Sequence, residues 1–249
     1  MLTLTSAKNP QVVKLKGLKN RSARLEAGLY LVEGIKMAQE AVSRPGLAHS
    51  LYVTEETLPL FEGVSCPVTL CAEHVLAALC DTRTPQGVVC AVHLPAKPAD
   101  LGPRIIVMDG VQDPGNVGTI LRTADAAGFT GALLSTACAD PYSPKVLRAT
   151  MGSIFRMPIQ TVQDLPEALE NLKARGFSVL SSQLDGTPFF ERQGVASSFA
   201  LIIGNEGNGV SDAVKAAATH RLALPMRGGA ESLNAAIAAG IMMYDLTCR

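Results

Sequence analysis

Apolar positions along this chain fall into two spacings. Short unbroken apolar runs read as buried strands at Gly28–Val32, Leu51–Thr54, Gly87–Leu94, Arg104–Met108, Thr130–Ser135, Phe177–Ser182 and Phe199–Ile203. Val64–Cys71 is a weaker strand because Pro67 stands inside it, and Leu222–Leu224 is a short one closed by Pro225. Helical spacing fills the gaps, at Gly34–Val42, Glu73–Leu79, Lys145–Met151 and Leu165–Arg175. The best-signalled helix follows Arg104–Met108. Asp113 reads as its N-cap and Pro114 as its first residue, and apolar positions recur at 117, 120, 121, 124 and 127. Gly128 ends it. The last helix, from about Ser232 to Leu246, is apolar nearly all round and is expected to be buried; Ser232 and Asn234 open it and, read on their own, are N-cap residues, Ser232 the better supported.

Strand and helix alternate through the second half, which predicts an α/β fold with a parallel sheet and helices on both faces. The first half reads as a smaller α/β unit. Between them, residues 94–103 carry three prolines and a glycine, the composition of a linker. The expected domains are therefore 1–97 and 98–249, and 249 residues suffice for both. With 47% hydrophobic and 18% charged positions, long disorder is excluded.

Six cysteines, at 66, 71, 80, 90, 138 and 248, show no C-x-x-C spacing, which argues against a zinc knuckle or a dithiol redox pair. The longest apolar run, Ala235–Tyr244, is shorter than the ~18 residues a membrane span needs. The start, MLTLTSAKNP, has no signal pattern, so a soluble, reduced, cytoplasmic protein is expected, with no membrane partner. Net charge is zero, yet Lys8, Lys14, Lys16, Lys19, Arg21 and Arg24 precede the first acid, Glu26. Such an arm can contact phosphates. It can equally be a solvated helix face, and the sequence leaves both readings open.

Ligands of parallel α/β sheets bind at the carboxyl ends of strands. Three segments there are rich in Gly, Asn and charge: Asp109–Arg122, Gly204–Gly209 and Leu224–Asn234. They contain no G-x-x-x-x-G-K-[ST] and no G-x-G-x-x-G, so neither a P-loop nor a dinucleotide fingerprint is present. The four histidines are scattered and no H-E-x-x-H occurs, so no metal site is expected.

In order, the three segments resemble the three motifs of the SpoU (TrmH) family of RNA ribose 2′-O-methyltransferases, in the SPOUT superfamily. The matching residues are Asn116-x-Gly118-x-x-x-Arg122, then Ile203-Gly204-Asn205-Glu206-Gly207, then Pro225-Met226-x-Gly228-x-x-Glu231-Ser232-Leu233-Asn234. Thr5-Ser6-x-x-Asn9-Pro10 and Val32-Glu33-Gly34 look, less specifically, like the family's RNA-binding extension. The resemblance implies a deep trefoil knot in the second domain, an exception to the unknotted rule. It also implies S-adenosylmethionine as cofactor, an RNA-binding first domain and a homodimer. It assigns cofactor contacts to Gly204, Leu224 and Leu233, with Met226 and Ser232 nearby.

The same resemblance makes Asn116, Arg122, Glu206, Ser232 and Asn234 the catalytic set. Read without it, Arg122 is a helix arginine with Asp125 as an ordinary i+3 partner, Glu206 is a cap or salt-bridge residue, and Leu224 and Leu233 are core. With it, Arg122 is expected to bind a phosphate and position the ribose hydroxyl, since a protonated arginine is a poor base. Glu206 is expected to orient Arg122 or the substrate. Ribosomal RNA is the expected substrate and transfer RNA the alternative. A non-catalytic RNA-binding protein of the same fold and an unrelated nucleotide-binding enzyme are the competing classes. The intact polar set argues against the first, and the missing phosphate signatures argue against the second.

Overall fold

The computed structural model describes residues 3–96, 98 and 100–248. Positions 97 and 99 of the expected linker, with the domain boundary drawn at 97, lie outside the described residues, as do 1 and 2 of the amino-terminal reading. The chain groups into two units, Met1–Ala96 with Tyr142–Phe155, and Lys97–Pro141 with Arg156–Arg249.

The first unit contains β1 (Thr3–Leu4), α1 (Pro10–Gly17), α2 (Arg21–Ala27), β2 (Leu29–Glu33), α3 (Ile35–Val42), β3 (Ala48–Val53), β4 (Val68–Cys71), α4 (Glu73–Leu79) and β5 (Val88–His93). Its sheet runs in the order β1-β4-β3-β5-β2, with β5 antiparallel to both neighbours. Val12 and Leu15 of α1 and Val75, Leu76 and Leu79 of α4 pack on Tyr52 and Val89 of the sheet. The motif residues of this half serve the fold. The Asn9 side chain accepts from the Gln11 N–H and caps α1. The Glu33 carboxylate accepts from the N–H groups of Asp81 (2.7 Å) and Thr82 (3.2 Å) and from the Thr82 hydroxyl (3.0 Å). Tyr142–Phe155 joins this unit through the Tyr142 ring, 5.0 Å from that of Tyr30, and through Arg148, which pairs with Asp81 at 2.9 Å.

The basic arm divides. Arg24 is buried and donates to the carbonyls of Leu18 (2.8 Å) and Lys19 (2.9 Å), closing the turn between α1 and α2. The Lys19 ammonium donates to the Cys80 carbonyl at 2.8 Å. Lys8, Lys14, Lys16 and Arg21 remain exposed.

The remaining elements are β6 (Arg104–Asp109), α5 (Pro114–Ala126), β7 (Gly131–Ser135), α6 (Pro144–Thr150, within the segment that joins the first unit), β8 (Ile159–Val162), α7 (Leu165–Ala174), β9 (Ser178–Pro188), β10 (Phe199–Gly204), α8 (Asp212–Ala217), β11 (His220–Ala223) and α9 (Ala235–Cys248). The second unit's sheet is parallel in the order β11-β9-β10-β6-β7-β8. Alternate residues serve opposite faces, as the two-residue strand period requires. Ile105, Val107, Val179 and Ile202 pack under Leu165, Leu169 and Leu172 of α7 and Val214 of α8. On β6 the intervening residues Ile106 and Met108 are equally buried, and α5 packs on α9 and β6 while α9 packs on β10.

Several expectations change. Strands β1 and β8 and helix α8 lacked a readable pattern, being short or edge-placed. Strand β9 extends to Pro188, beyond the apolar run, after a slip in its register with β11. Helix α9 is not buried all round: Ala236, Ala239, Met242 and Met243 face inward, while Ile237, Ile241 and Tyr244 form an exposed stripe. Its cap is Asn234, whose Oδ1 accepts from the N–H groups of Ala236 (2.9 Å) and Ile237 (3.3 Å), rather than Ser232.

The far end of α9 is fixed by a charge pair. Arg192 and Asp245 meet at 2.6 Å with side chains only 12% and 11% exposed, and the guanidinium lies 4.2 Å from the centre of the Phe189 ring. Asp245→Ala leaves that guanidinium buried without its counter-charge and is expected to destabilise the chain by about 3 kcal/mol. Lys173→Ala, which removes an exposed pair with Glu170, is expected to cost under about 0.5 kcal/mol. Thermal melts of the two variants check the contrast.

Candidate functional site

A parallel sheet opens a crevice where the chain reverses direction across it. Here that point lies between β6 and β10, because the chain runs from β6 outward to β7 and β8 and then crosses to β9. The carboxyl ends of β6 and β10 are paired as far as Asp109 and Gly204. The first and second Gly/Asn-rich segments leave the sheet side by side from these residues.

The loop after β10 folds back on itself. Asn205 and Gly209 exchange backbone hydrogen bonds at 2.9 Å. The Asn205 Oδ1 accepts from the N–H groups of Gly207 and Asn208, and its Nδ2 donates to the Gly110 carbonyl at 2.8 Å. Asp109 accepts from the Ser211 N–H at 2.7 Å. Gly204 permits the fold-back, since a Cβ there would stand 2.2 Å from the Gly209 carbonyl carbon and the Val210 nitrogen.

Glu206 sits on this loop and reaches the first segment. Its carboxylate accepts from the N–H groups of Gln112 and Asp113, each at 3.1 Å, and from Asn116 Nδ2 at 2.9 Å. Partial burial alone would raise its pKa. The hydrogen bonds from Asn116 and from backbone N–H groups outweigh that and hold the carboxyl below its ordinary value. Asn116 is fixed from both sides: the Asp113 side chain caps its N–H at 2.9 Å, and its Oδ1 accepts from Asn234 Nδ2 at 3.0 Å. One hydrogen-bonded chain, Asn234–Asn116–Glu206, thus joins the three segments.

Beside it lies a cavity of about 610 Å³, a size suited to a small-molecule ligand. Its lining includes Gly204, Leu224, Met226, Ser232 and Leu233, and also Glu206 and Asn234. Asn116 and Arg122 are not among the lining residues. Arg122 is exposed on α5 and, among the described residues, makes no ion pair or side-chain hydrogen bond. Two of the contacts considered for it are not made. Asp125 pairs with Arg156 at 2.7 Å, so the i+3 salt bridge is not made. Glu206 holds Asn116 and the β6–α5 loop, not Arg122.

The sequence did not point to one wall of the cavity, Ser182–Asp185 with Lys215. The register slip in β9 creates it, and no periodicity announces such a slip. Among the described residues no cluster of His, Cys, Asp and Glu is suited to a metal ion, the six cysteines are unpaired, and no helix is long and apolar enough to cross a membrane.

Residues 103–244 match the SpoU rRNA Methylase family, and residues 9–90 match the MRM3-like substrate binding domain. The chain is 36% identical over 249 residues, 99% of each chain, to the 23S rRNA (guanosine(2553)-2′-O)-methyltransferase RlmP of Bacillus subtilis. Among solved structures it resembles an AdoMet-bound rRNA methyltransferase from Sinorhizobium meliloti, with TM-score 0.87 and 30% identity over 98% of this chain and 96% of that one. It also resembles the SpoU methyltransferase AviRb from Streptomyces viridochromogenes in complex with AdoMet, with TM-score 0.87 and 28% identity over 97% and 98%. With its three polar loops joined around one cavity and a match to the family over 103–244, this chain belongs to the SpoU rRNA methylase family.

Proposed function

We propose that this protein transfers a methyl group from S-adenosylmethionine to a ribose 2′-hydroxyl of RNA, and that the RNA is ribosomal. The observation that carries the reading is the Asn234–Asn116–Glu206 chain at the rim of the cavity, which brings the three family motifs together. The full-length likeness to a 23S rRNA 2′-O-methyltransferase favours ribosomal RNA. A cytoplasmic location goes with that substrate reading.

The cavity suits the cofactor. Leu224, Met226 and Leu233 offer apolar walls to an adenine, while the strand end at Gly204 and the turn at Ser232 offer backbone polar groups. When bound, S-adenosylmethionine supplies an electrophilic methyl on a sulfonium. This chain's own residues do the positioning. Glu206 locks Asn116, and Asn116 in turn fixes the amide of Asn234 at the cavity wall. Arg122, uncommitted within the protein, has its planar fork free for a phosphate of the substrate. Holding the ribose hydroxyl in line supplies several kcal/mol of the acceleration without a proton leaving the guanidinium.

Residues 1–97 are read as the RNA-binding domain and 98–249 as the transferase domain. The chain path supports the trefoil knot: it leaves β10, reaches the sheet edge at β11, then returns so that α9 packs on α5 and β10. The stripe Ile237, Ile241 and Tyr244, spaced i, i+4 and i+7 on α9, suits a second copy of the chain.

Arg122→Ala is expected to lose most methyl transfer, and Arg122→Lys much of it. Both should keep wild-type melting and wild-type affinity for S-adenosylhomocysteine, measured calorimetrically with chelator present. An active Arg122→Ala ends the assignment. Replacing Lys14, Lys16 and Arg21 by Gln is expected to weaken RNA binding and to flatten its salt dependence by up to ~0.9 per lost phosphate contact, with cofactor affinity unchanged. Unaltered affinity and slope mean a solvated face only. In sedimentation velocity the wild type is expected to run as a dimer and Ile241→Asp as a monomer.

A further inference from the structure

We propose that the carboxylate of Asp185 is the counter-charge the cavity offers to the cationic end of S-adenosylmethionine, an inference that rests on the cofactor reading above. β9 pairs with β11 at Ser181↔Arg221 and next at Thr187↔Leu222. Residues 182–186 of β9 therefore stand between two successive residues of β11 and must loop out of the ladder. The return is made at Gly186, where a Cβ would lie 2.6 Å from the carbonyl carbon of Arg221 and the nitrogen of Leu222. Only glycine lets the two backbones come that close. The excursion gains no packing for Leu184, which is 75% exposed. Its effect is to lay Ser182–Asp185 along the cavity wall.

The charges on that wall are already assigned, except one. Glu206 accepts three hydrogen bonds that hold the loops together. Lys215 pairs with Asp212 at 3.2 Å. Asp185 is exposed and, among the described residues, has no ion pair and no side-chain hydrogen bond. The apolar residues and backbone groups of the other walls suit adenine and ribose, which carry no charge. The methionine end of the cofactor carries a sulfonium and an α-ammonium against one α-carboxylate, a net positive charge. An uncommitted carboxylate meets that requirement, and a hydrogen bond or close contact with a charged partner is among the stronger polar interactions. The free Asp185 thus discriminates charged cofactor from neutral adenosine, while the remaining walls bind the part the two share.

Titration calorimetry of the full chain and of Asp185→Asn tests this with three ligands: S-adenosylmethionine, S-adenosylhomocysteine and adenosine. The variant is expected to bind S-adenosylmethionine about tenfold more weakly or worse and adenosine as the wild type does. Weakening of S-adenosylhomocysteine to the same degree puts the carboxylate against the α-ammonium. Wild-type affinity for S-adenosylhomocysteine puts it against the sulfonium. Equal affinity of variant and wild type for S-adenosylmethionine overturns the proposal and leaves the cofactor reading intact. Equal loss for adenosine also overturns it, because the substitution then damages the cavity as a whole. A wild type that binds none of the three overturns the cofactor reading itself.

Discussion

A single carboxylate holds the site together. Glu206 lies 90 residues from Asn116 and 94 from Gln112 in sequence, yet it accepts from both. Its partners are donors that would otherwise be left over. The N–H groups of Gln112 and Asp113 precede α5 and have no place in its ladder, so the carboxylate gives these exposed donors a fixed partner within the protein. The depressed pKa of Glu206 is the energetic counterpart of this arrangement, since each hydrogen bond to the ionised form favours it. That contribution is present above the pKa of the unfolded carboxyl. It is lost only as pH falls through the lowered folded value.

The carboxylate can reach because backbone lies where side chains ordinarily would. Gly204 lets the loop turn back within contact of β10, and the Asn205 side chain, spent on Gly207, Asn208 and Gly110, keeps it there. Two polar side chains thus replace the secondary structure that a loop lacks. The same principle acts at Glu33, where a carboxylate at the end of β2 collects the N–H groups of Asp81 and Thr82. In both units a family-motif acid organises a neighbouring loop.

Much of this was legible in the sequence because it depends on local rules. Asp113, Pro114 and Gly128 bound α5 almost to the residue, and the unbroken apolar runs gave the strands of a parallel sheet. The three site segments were legible as Gly/Asn-rich loops at strand ends, and their common identity came from resemblance. What escaped depends on tertiary choice. The slip of β9 against β11 is a pairing property of two strands, so the wall at Ser182–Asp185 had no local signal. Of the two cap residues the sequence offered for α9, the fold uses Asn234, which caps with its Oδ1 while its Nδ2 holds Asn116. Helix α9 is apolar on a face that the single chain does not cover, and periodicity cannot distinguish a face covered by the same chain from one left for another. Asp125 was claimed by Arg156 rather than Arg122 because the competing arginine lies 31 residues away in sequence, beyond any helix-spacing rule.

The polar residues of the site therefore separate by whether the fold has already spent them. Glu206, Asn116, Asn205 and Asn234 are hydrogen-bonded to one another or to backbone, so they cannot change partners without loosening the loops. Arg122 and Asp185 are not so bound, and each sits on an element fixed by others: Arg122 on α5, packed against α9, and Asp185 on a strand excursion anchored at Gly186. On the readings proposed above, these opposite free charges suit opposite ligands, an anionic RNA backbone for the guanidinium and a cationic cofactor for the carboxylate. Preorganisation of this kind lowers the entropy lost when substrate and cofactor meet.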